Sequence, residues 1–171
     1  LGRMYADGRG VPQDYAEAAK LYRMAAKWDS RAQLLLGVMY AEGRGVIQDY
    51  AEAVKWWHMA AKRQPSAQHN LGNMYFHGRG VTQDDAQAVE WWRMAAERGY
   101  AQSRFYLGVM YLEGRGVIQN YIQAHMWFNL ATAKGIESGR EGRETAANLM
   151  TPADISKSQA LARAWSEKHG L

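Results

Sequence analysis

Apolar residues recur along the chain at the spacing of an α-helix, in segments of two kinds that alternate. In one kind, Leu36 and Tyr40 lie four residues apart on one face, which predicts a helix over residues 30–41. In the other kind, Trp57 shares a face with alanines on either side, which predicts a helix over residues 50–62. We name these helix A and helix B. Because each has only about a dozen residues, neither is stable alone, and the two must pack together.

The pair of segments repeats at a nearly constant period. The period is 35 residues between the first three copies and 36 residues between the third and the fourth. A fixed period in this range is typical of helical repeat arrays. The phrase G-R-G-V begins at Gly8, Gly43, Gly78 and Gly114, and the phrase L-G-x-M-Y begins at Leu1, Leu36, Leu71 and Leu107.

Local signals predict where the helices end and begin. Gly43 suits the left-handed turn that ends helix A. Asp49 with Glu52 three residues later predicts a reciprocal capping box at the start of helix B. The same pair recurs as Asp14 with Glu17, Asp84 with Gln87, and Asn120 with Gln123.

Two recurring positions indicate how the layers pack. Gly37, in the middle of helix A, indicates a neighbouring helix that comes too close for a side chain. The ring of Trp57 is predicted to fill the space between layers. Gly37 recurs as Gly2, Gly72 and Gly108, and Trp57 recurs as Tyr22, Trp92 and Phe128.

The combination of Leu36, Gly37 and Tyr40 with Ala53 and Trp57 resembles the tetratricopeptide signature. The longer G-R-G-V-x-Q-D connection, the W-W-x-M-A-A ending and the period are similar to the Sel-one-like repeat (SLR) variant of that superfamily. The resemblance implies an all-α fold, a right-handed α/α superhelix of about four SLR helix-turn-helix repeats closed by a C-terminal capping helical pair.

The resemblance also implies a division into two parts. Residues 1–134 form the SLR solenoid, and residues 135–171 form the C-terminal capping helices. Thr151 followed by Pro152 is typical of a helix start. The predicted repeats are residues 1–29, 30–65, 66–100 and 101–134, and the predicted capping helices are residues 140–149 and 152–168.

No pair of capping helices is predicted at the N-terminal end of the solenoid. Leu1, Met4 and Tyr5 present apolar side chains at the start of the first repeat. We therefore expect upstream repeats or another copy of the chain to cover them, which makes self-association through this end an expectation.

Composition and charge narrow the class of partner. The chain is 47% hydrophobic with three prolines and no cysteine, so it has enough apolar surface for a core and no disulfide or zinc-finger framework. The net charge is +4, but cations are spread evenly and nowhere clustered as a phosphate-tracking groove requires. No run reaches the roughly 20 apolar residues of a membrane span. We expect no nucleic-acid partner and no membrane span.

Candidate chemistry is sparse. His69 and His77 lie about 12 Å apart along one helix, too far to share a metal ion, and no H-E-x-x-H spacing occurs. None of the seven serines begins an S-x-x-K motif. Asp84 and Asp85 look like a catalytic pair, but a helix cap followed by a first-turn acid explains them better. We expect no metal, no cofactor and no enzymatic activity.

Arginines recur in the G-R-G-V loops and form a ladder with one member in each repeat. Such a ladder suits anionic ligands, but we favour a structural role in which each guanidinium braces loop carbonyls or a neighbouring carboxylate. The ladder consists of Arg9, Arg44, Arg79 and Arg115.

The resemblance assigns ligand binding to the concave side of the superhelix, which helix A lines. Helix A residues outside the packed stripe differ from copy to copy, as expected for a surface shaped for a ligand. Large apolar members such as Phe76 and Phe105 are candidate anchors. The predicted binding residues are Arg31, Leu34, Val38 and Glu42 in the second copy, His69, Asn73, Phe76 and His77 in the third, and Phe105, Val109, Leu112 and Glu113 in the fourth.

The sequence thus predicts an adaptor that binds a peptide or a helix of a partner protein and has no chemistry of its own. The alternative is an envelope hydrolase or penicillin-binding protein resembling the cysteine-rich SLR proteins. A location in the bacterial envelope or outside the cell is implied by the resemblance alone.

Overall fold

A computed structural model describes residues 1–170, and every regular element in that range is an α-helix. The predicted all-α repeat fold is confirmed, and the predicted helices over residues 30–41 and 50–62 match the second pair within one residue. In the described residues the helices are α1 (Gly2–Asp7), α2 (Tyr15–Ala25), α3 (Ser30–Glu42), α4 (Tyr50–Ala61), α5 (Pro65–His77), α6 (Asp85–Glu97), α7 (Ala101–Glu113), α8 (Tyr121–Thr132), α9 (Ser138–Ala147) and α10 (Pro152–His169).

The G-R-G-V loop ends helix A and turns the chain back. Gly43 adopts the left-handed conformation (φ 70°), and its amide donates to the carbonyl of Met39. Gly45 also has a positive φ and lies against the backbone of Tyr15, at the start of the preceding helix B. A side chain at Gly45 would overlap that backbone, so the second glycine is required for contact between repeats.

The recurring glutamine of the loop has a structural role. Gln48 Nε2 donates to the carbonyl oxygen of Ala41 at 2.7 Å and to the hydroxyl of Tyr50 at 3.2 Å. One side chain thereby joins the end of helix A to the start of helix B. Gln13 donates to Ala6 and Tyr15 in the same way, and Gln119 donates to the carbonyl of Leu112.

The predicted capping box at helix B is half right. Asp49 Oδ1 accepts the amide of Glu52 at 2.9 Å, as expected. The reciprocal bond, from the amide of Asp49 to the side chain of Glu52, does not form at this helix start. The amide of Asp49 donates to the carbonyl of Tyr40 instead (2.9 Å). The Glu52 carboxylate therefore pairs with Lys55 (2.9 Å). α2 repeats this arrangement, with Asp14 bonded to Tyr5 and Glu17 paired with Lys20.

Aromatic rings of helix B fill the space against helix A. A Cβ atom placed on Gly37 would lie 2.5 Å from Nε1 of Trp57, so the glycine makes room for the ring of its own partner helix. Trp57 is 3% exposed and Trp92 is fully buried. The predicted close approach of a neighbouring helix to Gly37 is therefore observed, and it is the aromatic side chain of that helix that lies against the glycine. Gly2 faces Tyr22 and Gly108 faces Phe128 in the same manner.

Contacts divide the chain into two compact units, Leu1–Gln83 with α1 to α5 and Asp84–Leu171 with α6 to α10. In the second unit, α9 packs on α7 and α8, and α10 packs on α8. Thr151 begins α10 with a reciprocal capping box to Asp154. α9 begins and ends two residues earlier than predicted, and the predicted domain boundary at residue 134 stays a prediction.

Candidate binding groove

A groove opens in the first unit between α1 and α3. Its cavity volume is about 600 Å³. Arg3 and Asp7 of α1 lie on one side, and Tyr22 of α2 forms the floor with an exposed fraction of 9%. We name it the α1–α3 groove. From α3, the groove is lined by Arg31, Leu35, Val38 and Glu42.

Three of the four residues predicted for the second copy line this groove, and the fourth does not. Arg31, Val38 and Glu42 follow the spacing of one helical face, and the residue that completes this face is Leu35. The predicted Leu34 lies one position away, so its side chain points off the groove, and its carbonyl accepts a hydrogen bond from Trp57 Nε1 (3.2 Å). The prediction was displaced by one residue at this position.

His69 is the residue of the third copy that is equivalent to Leu34, and it is buried. His69 is 6% exposed, and Nδ2 of Asn73 donates to its Nε2 at 3.2 Å. Burial lowers the pKa of His69 to about 4, so the ring is neutral near physiological pH. His69 was predicted as a surface residue, and its burial corrects that placement. Asn73 is half-buried beside it.

The two other predicted residues of the third copy are more accessible. Phe76 is half-buried and His77 is exposed. Their rings contact each other edge to face, with centroids 4.9 Å apart. A role for these two residues in binding stays a prediction.

In the fourth copy, the predicted apolar anchors are half-buried and pack against the core of the second unit. Phe105, Val109 and Leu112 contact a core cluster formed by Ala124, Phe128 and Ala146. The ring of Phe105 lies 5.8 Å from that of Phe128. Ala146 belongs to α9, so a capping helix of the chain contributes to covering this part of helix A. These three side chains are half-buried against the core of the second unit, and a role for them in binding stays a prediction.

Three of the four loop arginines pair with the acid that ends helix A in the same repeat. Arg44 pairs with Glu42 at 2.9 Å, and Arg115 pairs with Glu113 at 3.8 Å. Arg9 pairs with Asp7 at 3.5 Å. These three pairs agree with a bracing role and explain why acids tolerate an unfavourable helix C-terminus. Glu113, predicted as a binding residue, is thereby engaged in an ion pair. Arg79 follows His77 and lies over the ring of Tyr50 (5.7 Å), so a bracing role for the whole ladder stays a prediction.

Tyr22 is another groove residue that sequence reasoning missed. It occupies the ring position held by Trp57, Trp92 and Phe128 in the other copies, and it alone among them carries a hydroxyl group. Burial raises the pKa of this phenol and Asp7 raises it further, although nearby arginines oppose the shift. The hydroxyl thus stays protonated and able to donate. The detectable signal was a polar ring at an otherwise apolar position.

Buried polar groups of the second unit also escaped prediction. Nδ1 of His125 lies 2.8 Å from Oγ of Ser158, but Ser158 is fully buried and cannot reach a substrate. Arg104 is 1% exposed, lies over the ring of Trp165, and donates to the carbonyl of Leu130 at 3.4 Å. These contacts hold α7, α8 and α10 together.

No group of three or more His, Asp or Glu side chains in residues 1–170 is arranged to hold a metal ion. In the same part of the chain, no helix combines the length and the apolar character that crossing a membrane requires.

The repeat geometry agrees with comparisons to known proteins. The sequence profile of the Sel1 repeat matches residues 1–27, 30–64, 65–100 and 101–136. The chain belongs to the Sel1 repeat family. No curated protein sequence matches the chain.

Two solved structures extend the Sel1 repeat likeness over the whole chain. A protective antigen of uropathogenic Escherichia coli that displays an SLR fold is 40% identical, with a TM-score of 0.86. The similarity covers 100% of this chain and 37% of that antigen, so the chain spans little more than a third of its length. A Sel1 repeat protein of Oxalobacter formigenes is 26% identical over 99% of this chain and 70% of that one, with a TM-score of 0.79.

Proposed function

We propose that this Sel1 repeat chain is a non-catalytic scaffold that binds a peptide or a helix of a partner protein in the α1–α3 groove. Sel1 repeats commonly mediate protein–protein interaction. The observation that carries the proposal is the groove itself, an open cavity of about 600 Å³ whose lining includes the exposed helix A residues Arg31 and Glu42. A cavity of this size accommodates several side chains of a bound segment.

Three of the groove residues, Arg31, Val38 and Glu42, differ in kind from the residues that hold the repeats together. Positions that pack the layers carry alanine, glycine or a ring in every copy, and they are buried. Arg31 and Glu42 are exposed, and Val38 is half-buried. Substitution at these three positions therefore changes the binding surface while leaving the stacked core intact.

A peptide-display selection tests the proposal. A random peptide library is selected against the wild-type chain, and each enriched peptide is then measured against Val38→Trp, which fills the groove. Ala160→Trp is the matched control, because Ala160 is an exposed helical residue of α10 outside the groove. We expect the enriched peptides to bind the wild type and the control and to lose affinity for Val38→Trp. Peptides that bind all three proteins equally would refute a binding role for the groove.

A further inference from the structure

The α1–α3 groove carries an uneven distribution of charge. Four arginines line it, Arg3, Arg9, Arg31 and Arg44, with two acids, Asp7 and Glu42. The groove therefore has an excess of two positive charges. The positions equivalent to Arg31 are Ser66 and Gln102, and those equivalent to Arg3 are Val38, Asn73 and Val109. The two arginines of helix A that line the groove, Arg3 and Arg31, thus have no cationic counterpart in the later copies.

The arginines of the groove are not equivalent. Arg44 is neutralised by Glu42 (2.9 Å), and Asp7 is shared by Arg3 (3.3 Å) and Arg9 (3.5 Å). The side chain of Arg31 forms no ion pair or hydrogen bond with any residue from 1 to 170. An exposed guanidinium group without a carboxylate partner can bind an anionic ligand without first breaking an ion pair.

The floor of the groove adds a second donor beside this cation. The hydroxyl of Tyr22 forms no hydrogen bond within the described part of the chain, and the ring is held by burial against Gly2. A second cavity of about 410 Å³ shares Arg3, Tyr22 and Arg31 with the first, so these residues border both spaces. A fixed phenol and two guanidinium groups around one space match the oxygens of a carboxylate.

We infer that the α1–α3 groove selects an acidic segment of a partner protein, with a Glu or Asp carboxylate bound by Arg31 and the Tyr22 hydroxyl. This inference rests on the proposed function and specifies its ligand. A nucleic acid fits less well, because Asp7 and Glu42 lie among the arginines and would repel a continuous chain of phosphates. A peptide carries both polar and charged side chains and suits this mixed surface.

The test uses a fluorescent peptide of alternating glutamate and glycine and its counterpart with glutamine in place of glutamate. Binding to the whole chain is measured by fluorescence anisotropy. Arg31→Gln removes the free cation, and Lys27→Gln is the matched control, because Lys27 is an exposed cation that does not line the groove. Tyr22→Phe removes only the hydroxyl group. Circular dichroism and thermal unfolding establish that each variant remains folded.

We expect the glutamate peptide to bind, the glutamine peptide to bind far more weakly, and added salt to weaken the complex. Arg31→Gln should reduce affinity by about tenfold or more, because it removes a charge-assisted contact. Tyr22→Phe should reduce affinity by a smaller factor, and Lys27→Gln should have little effect.

Three outcomes would overturn the inference. These are equal losses in Arg31→Gln and Lys27→Gln, equal binding of both peptides, or tighter Arg31-dependent binding of a single-stranded oligothymidylate. The proposed function is tested separately, because peptides from the display selection that depend on Val38 but carry no acids would support a binding groove and refute its acidic preference.

Discussion

Arg115 and Asp85 form a two-point ion pair that joins neighbouring repeats. Nε of Arg115 lies 2.9 Å from Oδ2 of Asp85, and Nη2 lies 3.2 Å from Oδ1. Gly116 adjoins the same helix start, where its missing side chain leaves room for the backbone of Asp85. Asp85, which lies in the first turn of α6, therefore also anchors the loop of the next repeat.

A double-mutant cycle with Asp85→Asn and Arg115→Gln should give a coupling energy of about 1 kcal/mol in urea unfolding. The pair has a two-point geometry, but it is partly exposed, which limits its contribution. The comparison cycle uses Glu52 and Lys55, which are neighbours within one helix and should couple by at most about 0.5 kcal/mol. Equal couplings in the two cycles would show that the inter-repeat pair has no special role.

Trp92→Ala should lower the free energy of unfolding by about 3–5 kcal/mol, because it leaves a cavity at a fully buried ring that stacks on Tyr106 at 4.7 Å. Trp28→Ala serves as the control, since Trp28 is 81% exposed and should change stability by less than about 0.5 kcal/mol. Chemical denaturation of both variants provides the measurement. Similar values for the two would mean that the ring of Trp92 contributes little to the core.

Gly45→Ala should destabilise the chain more than Gly99→Ala. Both glycines have positive φ angles, 70° and 89°, so both variants bear a backbone cost of about 1–2 kcal/mol. Only Gly45 adjoins another backbone, that of Tyr15, whereas a Cβ atom on Gly99 would meet nothing within 4 Å. The difference between the two unfolding free energies isolates the contact between repeats. A difference near zero would show that this approach has no energetic consequence.

Acid should destabilise the chain through His69. Its pKa is lowered by burial from 6.5 to about 4, so the unfolded chain binds the proton more readily than the folded chain. The neutral, buried ring makes its full contribution to the free energy of unfolding above about pH 6.5. As the pH falls from 6.5 towards 4, the free energy of unfolding decreases by up to about 3 kcal/mol. His69→Gln should flatten the pH dependence of unfolding in this window, and His77→Gln, at an exposed position, should leave it steep. The same slope in both variants would exclude His69 as its source.

The lining of the α1–α3 groove, which we propose as the binding surface, could be predicted only in part. Arg31, Val38 and Glu42 were recognised because they lie off the packed stripe of helix A. Leu34 was chosen in place of Leu35, since adjacent residues near the edge of a stripe differ by about 100° in direction and periodicity alone does not separate them. Phe105 was predicted as an open anchor, and its half-burial could not be foreseen, because no local signal shows that α9 helps to cover it.

The sequence by itself determined the helices, their caps and the rings between them, because these depend on neighbours within one or two turns and on a period that repeats four times. Only the tertiary structure decided which face stays open and which cations stay free. Arg3, Tyr22 and Arg31 belong to three successive helices, and only the fold brings them to one groove. Proximity between helices depends on how the helices pack, which helical periodicity does not encode.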